Sequence, residues 1–363
     1  MKHIWKQAVC TAAAAALLLS GCSPLHTGET ASSAPSDPLT GQELLYPGER
    51  VAAVTIENTQ DDSAQWGMGS AAVVLEALTQ SGSAPSLCLV YPSVSSMPVV
   101  GPVAPGQDLY WRLLSGQQVI PVQRGCGVYT RNYMDYYNIH AVDALEVGRN
   151  GFVCDSGWTA APAWRTSGRL LEGVLKELNL SSGMNRAELS ASSSGAESGS
   201  GSTPVLPALL PQQTEGRLPD AGAADALEVT LDFQGQGTTR FRYDPDLATY
   251  TMLHPDGSPR TDANTSAPVT FDNLLVLYSS SSLRDDSRTL DYDLTMGGGL
   301  WLNGGHLWHI TWTQGTGSTF AFYDADGRPL RILSGRSYIA WLSSLTGEEV
   351  TVQDSAGNDL LQP

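Results

Sequence analysis

Leu87-Cys-Leu-Val-Tyr91 is the stretch that decides the fold class. Its side chains are apolar without alternation, which favours a strand that is buried on both faces. Val51-Ala-Ala-Val-Thr-Ile56 and Gln118-Val-Ile-Pro-Val122 are two further strand-like stretches. Pro121 cannot donate a ladder hydrogen bond, so we expect the last of them towards the edge of a sheet.

Helical patterns separate these predicted strands. The spacing of apolar residues predicts helices over 70–80, 108–114, 130–137 and 168–178, with Thr130 and Ser167 as N-caps of the last two. Buried strands that alternate with helices are typical of a parallel or mixed α/β sheet. We therefore predict an N-terminal α/β domain over residues 41–180.

The C-terminal part of the chain has a different pattern. Short β-rich stretches occupy 228–233, 239–243, 249–253, 273–278, 290–294, 307–313 and 320–323. Turn signals such as Pro255-Asp-Gly257 and Asp324-Ala-Asp-Gly327 separate them. This spacing predicts an all-β domain, a sandwich or an open barrel, over 225–363. The whole protein is accordingly expected in the α+β class.

Two segments have a composition that does not favour a packed core. Residues 181–224 are rich in Ser, Gly, Pro and Ala, and they are predicted to be a linker between the two domains. Residues 22–40 have a similar composition and are predicted to be a flexible tether.

The N-terminus has the features of a secretory signal. Lys2 and Lys6 precede an apolar run from Ala8 to Leu19, and Leu19-Ser-Gly-Cys22 follows. The run is shorter than the roughly twenty residues that a membrane-spanning helix needs. We predict a signal peptide over residues 1–21 and a lipid on the Cys22 thiol. An ordinary signal peptide beside a coincidental cysteine is the alternative.

Charge limits the classes of partner. The chain has 20 Lys and Arg against 37 Asp and Glu, for a net charge of −17. Nucleic acid and anionic lipid surfaces would repel such a protein, so no nucleic-acid partner is expected. Cys88, Cys126 and Cys154 form no Cys-x-x-Cys pair. Either one disulfide with a free thiol or three reduced thiols fits them.

The ordered set of short motifs in both parts resembles a known family. The set includes Val51-Ala-Ala-Val-Thr-Ile-Glu-Asn58, Gly101-Pro-Val103, Asp262-Ala-Asn-Thr265 and Thr270-Phe-Asp-Asn-Leu-Leu-Val276. The chain is similar to the YerB-type lipoproteins of Gram-positive bacteria, a family with two domains of unknown function. The resemblance supports secretion and lipid anchoring at the outer face of the cytoplasmic membrane, and it implies no reaction.

Polar positions shared with that family supply the candidate binding residues. They are Asn58, Glu76, Asp262, Asn264 and Asn273. The alternative is that they serve turns and satisfy backbone groups in loops. The chain departs from the family at Ala104-Pro-Gly-Gln107, where relatives tend to carry arginines, and at Ala163-Trp-Arg-Thr166, where they tend to have His-Asn-Leu-Tyr. These differences suggest that a site of the relatives is lost or altered here.

Signatures of catalysis and of cofactor binding are absent from the sequence. It has no Gly-x-Ser-x-Gly elbow and no Gly-x-x-x-x-Gly-Lys loop, so no catalytic residue and no cofactor is assigned. His306 and His309 would face opposite sides of a strand, so no metal is assigned either. Trp308, Ile310 and Trp312 would share one face, which is more often core than a sugar platform.

Two classes of function remain. The favoured one is a lipid-anchored module that binds an envelope ligand or protein, or acts as a scaffold. The alternative is an envelope hydrolase with Glu76 or Asp262 as general acid or base. A family member that keeps the fold and has lost its site is a third reading.

Overall fold

The structure is a computed structural model that describes residues 35–59, 64–155, 163–185, 205–213, 224–315, 319–344 and 346–361. The predicted signal peptide, Cys22 and most of the predicted tether lie outside these residues. In the N-terminal region the strands are β1 (Ala52–Ile56), β2 (Val73–Ala77), β3 (Ser86–Tyr91), β4 (Val99–Val100), β5 (Ile120–Gln123), β6 (Val142–Asp143), β7 (Val153–Cys154) and β8 (Trp164–Ser167). The α-helices are α1 (Asp108–Leu113), α2 (Val128–Tyr136), α3 (Ala144–Val147) and α4 (Gly168–Glu177).

Strands are the only regular elements in the described part of the C-terminal region. They are β9 (Gln212–Gln213), β10 (Ala224–Asp225), β11 (Glu228–Asp232), β12 (Thr238–Asp244), β13 (Thr249–Leu253), β14 (Thr270–Phe271), β15 (Asn273–Ser279), β16 (Ser281–Leu283), β17 (Leu290–Tyr292), β18 (Met296–Asn303), β19 (His306–Gln314), β20 (Phe320–Tyr323), β21 (Pro329–Leu330), β22 (Ile332–Leu333), β23 (Ser337–Ser343) and β24 (Glu349–Gln353).

One large sheet contains strands of both regions. Within the described residues twelve strands form it, in the order β21-β20-β19-β18-β15-β23-β2-β3-β1-β5-β6 with β10 beside β19. β2 pairs in parallel with β23, so Glu76 lies opposite Ala340. β3 runs antiparallel to both β1 and β2, whereas β5 is parallel to β1. The mixed sheet that the sequence predicts for the N-terminal region is confirmed, and it continues without a break into the C-terminal strands.

A second sheet covers part of the first. It is antiparallel, with the order β14-β13-β12-β11-β24. The rings of Phe241 and Phe271 lie 4.8 and 5.1 Å from that of Tyr338 on β23. The predicted β character of the C-terminal region is therefore confirmed, and part of its core lies between the two sheets.

The predicted helix over 70–80 is wrong. A short 3₁₀ turn, Met68–Ser70, leads into strand β2, in which all five side chains are buried. Val73, Val74, Ala77 and Leu78 fit one face of a helix, but a fully buried strand produces the same apolar run. Pairing with β3 on one side and β23 on the other settles the conformation.

Two local predictions were close but need correction. Pro121 lies in β5, which has a neighbour on each side, but β6 pairs only with Val122 and Gln123. The proline therefore has a partner strand on one side only, which suits its missing N–H. Helix α2 begins at Val128 after Gly127, and Thr130 lies inside it instead of capping it.

Two other local predictions are confirmed, the cap of α4 and the buried aromatic row of β19. The Ser167 hydroxyl accepts a hydrogen bond from the Leu170 amide and caps α4. Trp308, Ile310 and Trp312 are buried on one face of β19, as core residues. Cys88, Cys126 and Cys154 form no disulfide with one another, which decides between the two alternatives that the sequence left open in favour of three reduced thiols. No helix among the described residues has the length and apolarity to cross a bilayer.

Parts of the predicted tether and linker pack against the body. Asp37 Oδ1 accepts hydrogen bonds from the amides of Leu39 and Thr40, and Leu39 is fully buried. Leu206, Leu209 and Leu210 are buried, and β9 pairs with β22. Leucines among the small residues therefore give these short segments enough apolar surface to pack. Residues 186–204 and 214–223 of the predicted linker lie outside the described residues.

Candidate functional site

Glu76 is one of two candidate residues that are fully buried. It is the fourth of the five residues of β2, and it has no exposed surface. Oε1 accepts hydrogen bonds from Asn58 Nδ2 at 2.8 Å and from Thr239 Oγ1 at 2.7 Å, and Oε2 accepts one from the Tyr338 hydroxyl at 2.6 Å. Both carboxyl oxygens are therefore satisfied by the protein.

The partners of Glu76 come from separate parts of the chain. Asn58 follows β1, Thr239 is in β12 of the second sheet, and Tyr338 is in β23. Arg260, also buried, donates from Nη1 to Asn58 Oδ1 at 3.4 Å and from Nη2 to the Thr59 carbonyl. These contacts form one polar network that joins the N-terminal region to both sheets.

Burial is the main influence on the pKa of Glu76. Removal from water raises the pKa of its carboxyl to about 7. The hydrogen bonds from Tyr338 and Thr239 and the charge of Arg260 act in the opposite direction and limit the rise. The group therefore changes its charge near neutral pH without contact with solvent.

Asp262 and Asn264 form a second, separate cluster. Asp262 Oδ2 accepts from the Gly69 amide at 2.7 Å, and Oδ1 accepts from the amide and side chain of Asn264 at 2.8 and 3.0 Å. Asn264 Nδ2 also donates to the Val99 carbonyl at 2.9 Å. These bonds fasten a C-terminal loop to the N-terminal region and leave neither Asp262 oxygen unsatisfied.

Asn273 occupies a third place, at the start of β15. Its Nδ2 donates to the Leu333 carbonyl at 2.9 Å, and its Oδ1 accepts from Trp301 Nε1 at 3.0 Å and Asn303 Nδ2 at 3.2 Å. The side chain is fully buried. It holds neighbouring strands of the large sheet together.

The five candidate residues thus do not share a cleft. Asn58 meets Glu76, Asp262 meets Asn264, and Asn273 lies apart. Of the five, Asn58 alone lines a cavity that lies beside the end of β1.

That cavity opens where β1, β2 and β3 meet the starts of α1 and α2. It has a volume of about 230 Å³. Its polar lining residues are Glu57, Asn58, Thr79, Gln80, Ser83, Ser86, Gln107, Asp108, Tyr129, Thr130 and Thr289. No Lys, Arg or His is among the described residues that line it, and its two charged residues are both acidic. We call it the Glu57 cleft.

Glu57 is the acid that the sequence analysis missed. It is half-buried, and no described residue donates a hydrogen bond to its carboxylate. Burial raises the pKa of this carboxyl, and the positive charge of Arg124 offsets part of the rise. Its position directly after a buried strand and before Asn58 was the only available signal.

Asp108, the other acid, is already paired. Its Oδ2 accepts from Arg284 Nη2 at 2.6 Å, and its Oδ1 accepts from Arg284 Nη1 at 3.3 Å. Arg284 in turn contacts Asp291, which Arg112 also binds at 2.6 Å. This ion-pair network fixes one wall of the cleft and leaves Glu57 as the acid that can meet a ligand.

The stretch that departs from the family pattern lies at this cleft. Ala104, Pro105 and Gln107 line it. Small and neutral side chains therefore occupy the positions at which the resemblance leads us to expect arginines. No positive charge from this stretch offsets the acidic residues of the cleft.

Metal binding has no support in the described part of the chain. No group of three or more His, Cys, Asp or Glu side chains there is arranged to hold a metal ion. His306 lies 3.8 Å from Asp225, and the exposed His309 lies further along the same strand.

Comparisons with known proteins agree on one family. Residues 39–179 match the model described as "Protein of unknown function (DUF3048) N-terminal domain", and residues 229–339 match its C-terminal domain. "Putative lipoprotein YerB" of Bacillus subtilis (strain 168) is 24% identical over 321 residues, which cover 86% of this chain and 88% of that protein.

A protein of known crystal structure has the same fold as this chain. The crystal structure of the YerB protein from Bacillus subtilis matches with a TM-score of 0.69 and 21% identity, over 87% of this chain and 99% of that one. The two family models together cover most of the chain, in the same order as the two regions described above. The chain therefore belongs to the DUF3048 family of proteins of unknown function.

Proposed function

We propose that the protein is a lipid-anchored binding module of the cell envelope and that the Glu57 cleft holds its ligand. The anchor would be Cys22, in the lipobox-like Leu19-Ser-Gly-Cys22, at the outer face of the cytoplasmic membrane. The name of the Bacillus subtilis relative, a "putative lipoprotein", supports this placement.

The carboxylate of Glu57, to which no described residue donates a hydrogen bond, carries the proposal. A half-buried acid without a donor has a cost that a bound cation would remove. Among the described residues that line the cleft none is basic, so no side chain of the lining takes the place of such a cation. Side-chain amide groups around it, such as those of Gln80 and Gln107, can orient a polar ligand.

The ligand class follows from charge and size. The negative charge of Glu57 favours a protonated amine as the ligand. The cleft volume of about 230 Å³ accommodates a small molecule or the end of a larger one. Envelope components that carry a free amino group fit both requirements.

Two-carboxylate catalysis receives less support from the geometry. Both oxygens of Glu76 and of Asp262 accept hydrogen bonds within the protein. In the cleft itself, the carboxylate of Asp108 is held by Arg284. Glu57 therefore has no second free carboxylate beside it in the described lining, and a binding role is favoured over the hydrolase alternative.

Calorimetric titration with 1,4-diaminobutane at pH 8 tests the ligand class. The matched neutral probe is 1,4-butanediol, and the matched control variant is Glu172→Gln on the exposed face of α4. We expect the diamine to bind the wild type and Glu172→Gln equally, and Glu57→Gln about tenfold more weakly, equivalent to roughly 1.4 kcal/mol. Equal binding of the diol, or an unchanged affinity in Glu57→Gln, would contradict the proposal.

Membrane fractionation tests the anchor separately. The wild-type protein should sediment with membranes, and Cys22→Ser should be released or remain unprocessed, because a serine oxygen cannot carry the thioether-linked lipid. Unchanged membrane retention of a processed Cys22→Ser protein would refute the anchor and leave the cleft unaffected.

A further inference from the structure

We infer that the protein has a second binding site, which takes a neutral sugar ring. The site is a cavity of about 760 Å³ between α1, α2 and the segment that follows α4. It is about three times larger than the Glu57 cleft and lies within the usual range of roughly 300–1,000 Å³ for ligand pockets. We call it the Trp111 cavity. The inference does not depend on the proposed amine site.

Aromatic side chains form one part of the lining of the Trp111 cavity. Trp111, Tyr133 and Tyr137 line the cavity. The rings of Tyr133 and Tyr137 lie 4.7 Å apart with an interplanar angle of 50°. Tyr137 is 60% exposed, so part of its ring is accessible to a ligand. Such rings offer apolar faces to the C–H face of a sugar.

An unused hydrogen-bond donor lies at the same cavity. Trp111 is fully buried, and its indole Nε1 has no hydrogen-bond partner among the residues that the structure describes. A buried N–H without an acceptor is costly, because it has given up its hydrogen bond to water and gained none in the protein. A ligand with a carbonyl or hydroxyl oxygen near Trp111 would supply the missing acceptor.

The charges of the cavity favour a neutral ligand. No Asp or Glu is among the described residues that line it, so a cation finds no partner there. The Arg50 guanidinium donates to the carbonyls of Gln118, Val119 and Ser181 and is thereby held in the wall. Polar side chains, among them Asn138 and His140, can bind hydroxyl groups. An N-acetylated pyranose combines an apolar face, hydroxyls and a carbonyl acceptor in one neutral ring.

Titration with tetra-N-acetyl-chitotetraose, followed by calorimetry, tests this inference. Tyr137→Ala removes a ring of the cavity, and Tyr136→Ala removes its more exposed neighbour, which does not line the cavity. We expect at least about threefold weaker binding in Tyr137→Ala, within the range for a lost aromatic contact, and unchanged binding in Tyr136→Ala. Glu57→Gln should bind the sugar as the wild type does.

The indole N–H signal of Trp111 gives a second readout in the wild-type protein. Its resonance, assigned by comparison with Trp111→Phe, should move downfield as the sugar binds, because the N–H gains an acceptor. The inference is overturned if the tetrasaccharide does not bind at millimolar concentration, if Tyr136→Ala loses as much affinity as Tyr137→Ala, or if laurate binds there in place of the sugar.

Discussion

Replacement of Glu76 by Gln should remove a pH dependence from the stability of the protein. Burial raises the pKa of Glu76 in the folded state to about 7, against 4.5 for an ordinary Glu. The folded state therefore binds a proton more tightly than the unfolded state does. Its stabilising contribution is complete below pH 4.5 and is lost as the pH rises through 7.

The magnitude follows from the two pKa values. One pKa unit corresponds to about 1.36 kcal/mol, so the free energy of unfolding should fall by about 3 kcal/mol between pH 4 and pH 8 through this group alone. In the Glu76→Gln variant the side-chain amide has no proton to lose over this range. The amide oxygen can still accept from Asn58 and Thr239, and the amide nitrogen can donate to the Tyr338 hydroxyl.

Urea unfolding, followed by tryptophan fluorescence at several pH values, measures this effect. Other carboxyls with raised pKa values, such as Glu57 and Glu348, contribute equally to both proteins and cancel in the difference. We expect Glu76→Gln to gain stability relative to the wild type as the pH rises. A difference between the two proteins that stays constant from pH 4 to pH 8 would show that Glu76 does not titrate there and would refute the reasoning.

Four further predictions follow from single contacts. Arg336 donates to three backbone carbonyls, so Arg336→Lys should lower the free energy of unfolding by about 2 kcal/mol in urea, and an unchanged midpoint would contradict this. Ser167→Ala should cost about 1 kcal/mol in the same assay, because α4 loses its cap, and no loss would show that the cap is redundant. Maleimide should label Cys126 in the native protein but Cys88 only after unfolding, since Cys88 is fully buried and burial raises its pKa; native labelling of Cys88 would be inconsistent with its position in β3. Diamine binding should strengthen as the pH rises through the raised pKa of Glu57 and should show no such dependence in Glu57→Gln, as calorimetry at pH 4 to 7 would show.

Local sequence patterns predicted much of the architecture. Ser167 marked the start of α4, and the alternation in Leu307–Thr313 marked β19 and its buried tryptophans. These features depend on neighbouring residues alone, so a single sequence contains them. Val73–Ala77 was assigned to a helix because a short apolar run is compatible with either structure when its partners are unknown.

Local sequence patterns do not predict which strands pair when they are far apart in the chain. Strands β2 and β23 are adjacent in the sheet although more than 250 residues separate them in the chain, and nothing near Val73 indicates Ser337. The same limit applies to the site. Asn58 and Glu76 were chosen as candidates, but Thr239, Tyr338 and Arg260 complete the network only after the two sheets pack.

A polar residue can satisfy groups of the fold or bind a ligand, and the sequence alone does not distinguish these two roles. Asp262 and Asn273 satisfy backbone and side-chain groups of the fold, whereas Glu57 meets no described donor at all. The distinction depends on which atoms surround each carboxylate or amide, and it emerges only from the folded chain.

The ionisation of Glu57 tests the binding role of the cleft most directly. Its carboxyl can be followed by ¹³C NMR as the pH is changed, with and without saturating 1,4-diaminobutane. We predict a pKa above the ordinary 4.5 in the free protein, and a fall when the diamine places a positive charge beside it. A carboxyl that titrates at the same pH with and without the diamine would contradict the account.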